Sequence, residues 1–191
     1  MSNQIVQKTI FNKLNNIKIV YYLGSLLLII ISVTACEHDK DKDIPDVSNI
    51  PVEVSIHRFE KELFGMDTTN MQNAIQSINE KYPEFASIFF NQIIGATDPR
   101  IAPQGPESYI KGFINYPSVR QLYDTTQVVF PNLTDVEKEF EQAFQFLKYY
   151  FPEQNIPQVT TFISEYSIAG FIYGDNALAA GLDFYLGADY P

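Results

Sequence analysis

The sequence predicts an α+β fold, in which a helical middle segment packs on a small mixed or antiparallel sheet built from N-terminal and C-terminal strands. Residues 52–57 alternate between apolar and polar side chains, a pattern typical of a half-buried strand. Residues 71–151 carry apolar side chains at helical spacing, and residues 159–186 return to strand patterns. Strands at both ends of a folded region, with helices between them, indicate the α+β class.

The first 35 residues predict a lipoprotein signal peptide. Residues 1–18 contain three lysines and no acid, and residues 19–35 are an uncharged apolar run that is shorter than the ~20 residues of a membrane-spanning helix. Small side chains precede Cys36, the only cysteine, which resembles the lipobox of bacterial lipoproteins. In that family the cysteine thiol receives a diacylglycerol and becomes the mature N-terminus. The alternative is an incidental cysteine in a single-pass anchor.

Residues 36–50 predict the lipidated cysteine followed by an acidic, solvated tether, because charged residues dominate and Pro45 interrupts them. His38 is interpreted as a linker residue rather than a metal ligand. Acidic residues directly after Cys36 resemble the sorting signals of some lipoproteins of gliding bacteria, which indicates the outer membrane; a plain linker is the alternative. The folded domain is predicted to span residues 51–191.

Composition excludes several functions. Acidic residues outnumber basic ones 23 to 13, for a net charge of −10. Without residues 1–35, whose only charged residues are lysines, the net charge becomes −13. A body this acidic repels phosphate backbones, so we expect no nucleic-acid partner. One cysteine excludes an intrachain disulfide and a multi-cysteine metal site, and we assign no metal or cofactor.

The N-terminal strand, residues 52–57, is predicted to place His57 on its polar side. The first predicted helix carries an apolar face from Met71 to Ile78, with the N-cap expected within residues 67–69. Pro83 is expected to end this helix or to start the next, whose apolar stripe extends from Phe85 to Gly95.

The second half of the helical region begins after a loop predicted over residues 95–107. Two short helices, residues 108–115 and 118–129, are separated by Pro117. The clearest helix begins with a predicted capping box, in which Thr134 and Glu137 would bond each other's backbone N–H. Phe residues then recur at helical spacing as far as Pro152, and we expect them to pack against a sheet.

Three strands are predicted at the C-terminal end, over residues 159–164, 170–173 and 177–186, with a turn at 174–176 that makes the last two a hairpin. Gly181 indicates a bulge or a close backbone approach. The last strand has one strongly apolar face, formed by Leu178, Ala180, Leu182, Phe184 and Leu186.

Catalytic motifs are absent from the sequence, and we assign no catalytic residue. His57 as a general base is one hypothesis, and a strand residue that points to solvent or to the strand edge is the other. The acids near the C-terminal strands could bind Ca²⁺ or act as general acids. Alternatively, Asp175 caps a turn and the others are exposed to solvent. These acids are Glu165, Asp175, Asp183 and Asp189.

Several short segments together resemble one family. They are the lipobox Cys36, residues 50–54 with Arg58-Phe59-Glu60 behind them, residues 82–85, residues 148–152 and residues 183–191. In this order they resemble the gliding motility lipoprotein GldB family.

The resemblance implies a cell-envelope lipoprotein required for gliding, held in the membrane by its lipid and working with other gliding and envelope proteins. It also implies a longer protein, of which this chain would be an N-terminal portion, so the domain of residues 51–191 would be truncated. We therefore carry two hypotheses. The first is a non-enzymatic component of the gliding and secretion machinery. The second is a lipoprotein hydrolase related to zinc proteases, with its active site beyond residue 191.

Overall fold

The computed structural model describes residues 44–188, and all of its helices and strands belong to the unit that spans residues 47–191. The elements in chain order are β1 (Ile56–Arg58), α1 (Phe59–Phe64), α2 (Met71–Lys81), α3 (Pro83–Ile88), α4 (Pro106–Asn115), α5 (Pro117–Val129), α6 (Thr134–Tyr150), β2 (Gln158–Phe162), β3 (Gly170–Tyr173) and β4 (Ala177–Gly181). A π-helical turn, Phe89–Ile93, continues α3, and a 3-10 turn, Leu182–Tyr185, follows β4.

The four strands form one mixed sheet in the order β1-β2-β4-β3. β1 and β4 both run parallel to β2, while β3 and β4 form the predicted antiparallel hairpin. A parallel pair requires a long crossover connection. The six helices between β1 and β2 provide this crossover, so the predicted α+β class is confirmed, with N-terminal and C-terminal strands in one sheet.

The N-terminal strand is shorter than predicted. Only Ile56–Arg58 is β-strand, although the alternating exposure predicted for residues 52–55 is present. The partner strand limits the length of β1. Ile56 pairs with Val159, and the Val159 N–H donates to the carbonyl of Ser55, the residue just before β1. An apolar–polar alternation sets which side chains face inward, whereas strand length depends on how much partner backbone is present.

Two helix starts differ from the prediction. Asn70 caps α2, with its side chain accepting a hydrogen bond from the Asn73 N–H at 3.3 Å, whereas Asp67 accepts from Thr69 in a local turn. The capping box is wrong, because no side chain caps α6 at its N-cap residue, Leu133. The Glu137 N–H donates instead to the Leu133 carbonyl at 2.8 Å.

The C-terminal strand ends at Gly181 rather than at residue 186. Its partner strand stops at Phe162, which pairs with Gly181, and the chain then turns into the Leu182–Tyr185 helical turn. The alternating apolar face is therefore real only as far as Leu182. Phe184 is exposed, and Leu186 packs at the border of the helical core.

The core lies between the sheet and the first five helices, and phenylalanine rings fill its centre. Phe59 lies at its centre, with ring centroids 4.8 Å from Phe85 and 5.0 Å from Phe89. α6 covers the opposite face of the sheet, but among the apolar side chains of α6 only Phe144 is buried. The predicted packing of this helix against the sheet is therefore present but partial.

Candidate functional site

The ends of the three parallel strands provide the candidate site. Carboxyl ends of neighbouring parallel strands meet at one edge of a sheet, and ligands of open α/β sheets bind outside that edge. Glu60, Ser164 and Asp183 each follow β1, β2 or β4 by two residues, and all three are buried. We call this region the carboxyl edge.

Glu60 anchors one half of the carboxyl edge. Its side chain is fully buried and forms an ion pair with the Nε of Arg58, while its Oε2 accepts a hydrogen bond from Thr161 Oγ1 at 2.7 Å. Burial of a carboxylate without partners would cost several kcal/mol, so this pairing is what makes the position tolerable. In the sequence, Arg58 and Glu60 stand out only through the family resemblance, and no local pattern indicates that Glu60 is buried.

Arg58 extends the same network to α5. Its Nη1 donates to the Phe130 carbonyl at 3.1 Å and its Nη2 donates to Gln127 Oε1 at 3.2 Å. The Gln127 amide in turn donates to Thr126 Oγ1. The guanidinium thus joins the start of the crossover to its fifth helix. Its bonds are internal, which makes the network suited to holding the fold rather than to proton transfer.

Asp183 anchors the other half of the carboxyl edge. It is only 1 % exposed, and its Oδ2 accepts hydrogen bonds from the backbone N–H groups of Ser164 at 3.1 Å and Tyr166 at 2.7 Å. Its Oδ1 is buried without a hydrogen-bond partner. The expectation of solvent exposure is therefore wrong for Asp183. Two backbone N–H groups within three residues donate to the same carboxylate. These charge-assisted hydrogen bonds compensate for the loss of water around the aspartate.

Glu165 and Asp175 do not join Asp183 in a group of acids that could hold a metal ion. Glu165 is exposed and lies 3.4 Å from the Ser118 hydroxyl, and Asp175 is exposed in the β3–β4 turn. Asp189 lies outside the described residues. Within residues 44–188, no three His, Cys, Asp or Glu side chains are grouped so as to hold a metal ion.

His57 lies on the helical side of the sheet rather than on a free polar face. It is half-buried, its Nε2 is 3.2 Å from the Gln158 amide nitrogen, and its ring meets the edge of Tyr82 at 5.8 Å between centroids. These neighbours fix the position of the ring. His57 thus lies on an edge strand, as predicted, but its ring packs against Tyr82, so the prediction that it points to solvent or to the strand edge is only partly right.

A small polar cluster lies beside His57. Glu62 Oε1 accepts hydrogen bonds from the Tyr82 hydroxyl at 2.7 Å and from Lys81 at 2.6 Å. Burial raises the pKa of Glu62, but the bonds from Lys81 and Tyr82 outweigh it and hold the pKa below its usual 4.5. Burial, together with the bond to Glu62, raises the pKa of Tyr82 far above its usual range. Near neutral pH, Glu62 therefore stays ionised and Tyr82 stays protonated.

An apolar groove separates α6 from the sheet, with a volume of about 520 Å³. We call it the sheet groove. It results from the partial cover that α6 gives to the apolar face of β4. Its walls are Val136, Phe140 and Ala143 of α6, and Val159, Ala180 and Leu182 of the sheet side.

The predicted anchor cannot be placed on this fold, because Cys36 and His38 lie outside the described residues. Among the described helices, none combines the length and the apolar character that crossing a bilayer would require.

Comparison with known proteins gives one match. The model of the family described as gliding motility protein GldB matches residues 40–191, which is most of the chain. Neither the curated proteins nor the solved structures contain a match. The family match includes the whole folded unit and all of the carboxyl edge. The resemblance found in the sequence is therefore confirmed, and the chain belongs to the gliding motility protein GldB family.

Proposed function

We propose that this protein is a lipid-anchored component of the cell envelope that supports bacterial gliding without performing catalysis. The family match over residues 40–191 carries the gliding part of the proposal. The lipid anchor is inferred from the lone Cys36, which follows a run of small residues. We assign the anchor to the outer membrane because acidic residues follow Cys36. Anchoring raises the effective concentration of the domain near other gliding and envelope proteins, so weak contacts suffice.

The non-catalytic part of the proposal rests on how the buried polar groups are used. The Arg58 guanidinium and the Glu60 carboxylate bond to each other and to neighbouring protein groups, and Asp183 Oδ2 holds two backbone N–H groups. A general acid or base must reach a substrate atom within hydrogen-bond distance. Groups committed in this way stabilise the carboxyl edge, and the proposed role of the domain is to present a fixed surface to partner proteins.

Complementation of a deletion strain tests the anchor. A secreted version with a cleavable signal peptide and Cys36→Ala should fail to restore gliding, because the domain is no longer held at the membrane. The matched control is His38→Gln, which changes the tether two residues further on and should restore gliding fully. Colony spreading and single-cell tracking give the readout, with immunoblots showing equal protein levels. Full gliding with the unanchored version would refute the anchoring requirement.

The non-catalytic role is tested with His57→Gln. Glutamine can still bond Gln158 but cannot take up a proton at neutral pH. We expect normal gliding at normal protein level. Loss of gliding with a correctly folded, correctly anchored His57→Gln protein would contradict the non-catalytic role and leave the anchor intact.

A further inference from the structure

The C-terminal end of α6 exposes three aromatic side chains in a row. Tyr149, Tyr150 and Phe151 are 50 %, 58 % and 59 % exposed, and the first two rings meet edge to face at 5.0 Å between centroids. Lys148 stands beside them, with its Nζ donating to the Pro152 carbonyl at 3.1 Å. We call residues 148–151 the aromatic tip. Exposed apolar residues in contiguous patches are uncommon on soluble domains and mark interaction surfaces.

The tether enters the folded unit beside this tip. Val47 is buried, and the Gln145 amide donates to the Ile50 carbonyl at 3.2 Å, which fixes the start of the folded unit against α6. Gln145 precedes Tyr149 by four residues, or about 6 Å along a helix axis. The aromatic tip therefore lies at the same end of α6 as the point where the chain arrives from Cys36.

The tether is also short. Ten residues separate Cys36 from Val47, so even a fully extended chain lets the start of the folded unit lie no further than about 40 Å from the lipidated cysteine. A lipid on Cys36 thus limits the start of the folded unit to about 40 Å from the bilayer, which is within reach of a contact between the aromatic tip and the headgroups. Tyrosine, with an apolar ring and a polar hydroxyl, is enriched at membrane–water interfaces, and lysine can extend its amine to the headgroups from an apolar stem.

From these contacts we infer that the aromatic tip inserts into the headgroup region of the bilayer that holds the Cys36 lipid. This inference rests on the proposed anchor at Cys36. The tip would add a second, weak membrane contact and would orient α6 relative to the membrane surface. The net charge of −13 on the processed chain disfavours anionic lipids, so the bilayer that fits is a zwitterionic one.

The protein contains no tryptophan, which allows a clean optical test. We would place a single reporter at the tip with Phe151→Trp in the full lipidated protein. The matched control is Val128→Trp, because Val128 is 80 % exposed near the end of α5, close to where α6 begins. The two reporters lie before and after α6 in the chain, and its 17 residues span roughly 25 Å. Each protein is reconstituted into phosphatidylethanolamine–phosphatidylcholine vesicles, with or without bromine on the acyl chains.

We expect both proteins to float with the vesicles. The Phe151→Trp emission should shift to the blue and lose about half its intensity in brominated vesicles, because interfacial groups lie roughly 5–10 Å into the headgroup–acyl boundary. The Val128→Trp emission should not change. Flotation without quenching at Phe151→Trp would overturn the inserted tip and leave the anchor standing. A blue shift without quenching would show that protein covers the tip, which also overturns the inference. Failure to float would overturn the anchor and the inserted tip together.

Discussion

Gly181 gives the sharpest test of how the carboxyl edge is packed. It has a strand-like backbone, with φ −80° and ψ 102°, so alanine can adopt this conformation without strain. A Cβ at this position would lie 2.5 Å from the Ile168 carbonyl oxygen and 3.1 Å from Asp183 Oδ1. Both distances are shorter than normal contacts, and a backbone oxygen cannot move away by changing a rotamer. Gly181→Ala must therefore displace the loop between β2 and β3.

The expected cost follows from this displacement. Overpacking by one methyl group in a tight interior costs about 1–3 kcal/mol, and we place Gly181→Ala at the upper end of this range because the nearest atom is backbone. Gly112→Ala is the matched control, since it adds the same methyl group with no atom within 4 Å. Gly112 lies in the exposed interior of α4, where alanine is favoured over glycine by about 1 kcal/mol.

Thermal unfolding of the mature protein in detergent, followed by circular dichroism, measures both effects. For a domain of this size about 1 kcal/mol corresponds to 2–4 °C in Tm, so Gly181→Ala should lower Tm by roughly 5–10 °C and Gly112→Ala should raise it by a few degrees. If Gly181→Ala unfolds at the parent temperature, the loop does not approach β4 as closely as the structure has it, and the account of the carboxyl edge is wrong.

Three further predictions concern the buried and paired acids. Asp183→Ala should lower the free energy of unfolding by about 2–4 kcal/mol in urea titrations, because two backbone N–H groups lose their acceptor; Asp183→Asn, which keeps an oxygen, should cost less. Glu60→Gln should cost about 3 kcal/mol in the same assay, since it leaves the Arg58 charge without its counterion. The lowered pKa of Glu62 means that its bonds stabilise the fold above pH 4.5 and are lost as pH falls through the lower folded value. Glu62→Gln should therefore flatten the pH dependence of Tm in that window.

Helix positions could be predicted from the sequence because proline fixes them locally. Pro83 and Pro117 each begin a helix, since proline lacks the N–H that the first turn leaves unpaired. The caps were harder to predict. Asn70 stands next to equally good candidates at residues 67–69. At the start of α6, Thr134 does not cap the helix, and its own N–H donates to the side chain of Asn132, the residue before the N-cap Leu133.

Strand ends and buried charges could not be predicted, for a shared reason. β4 stops at Gly181 because its partner β2 stops at Phe162, and the burial of Glu60 depends on Thr161, 101 residues away, as well as on the ion pair with Arg58. Neither β2 nor Thr161 is visible in a local pattern. Charged residues are almost always exposed unless they are paired, so a sequence reading assigns them to the surface. The same reasoning predicts an exposed Asp183, which the structure buries.

Contacts within the fold explain part of the family resemblance. Phe59, from the segment after β1, meets the edge of Tyr82 at 5.4 Å and of Phe85 at 4.8 Å between ring centroids, so two of the segments that identify the family pack against each other. Asp183, from a third, fixes the loop after β2. These segments are far apart in sequence, and the fold brings them together. The identifying segments also include residues 148–152, whose aromatic side chains are exposed, so core contacts explain only part of the resemblance and the role of the aromatic tip must be tested separately.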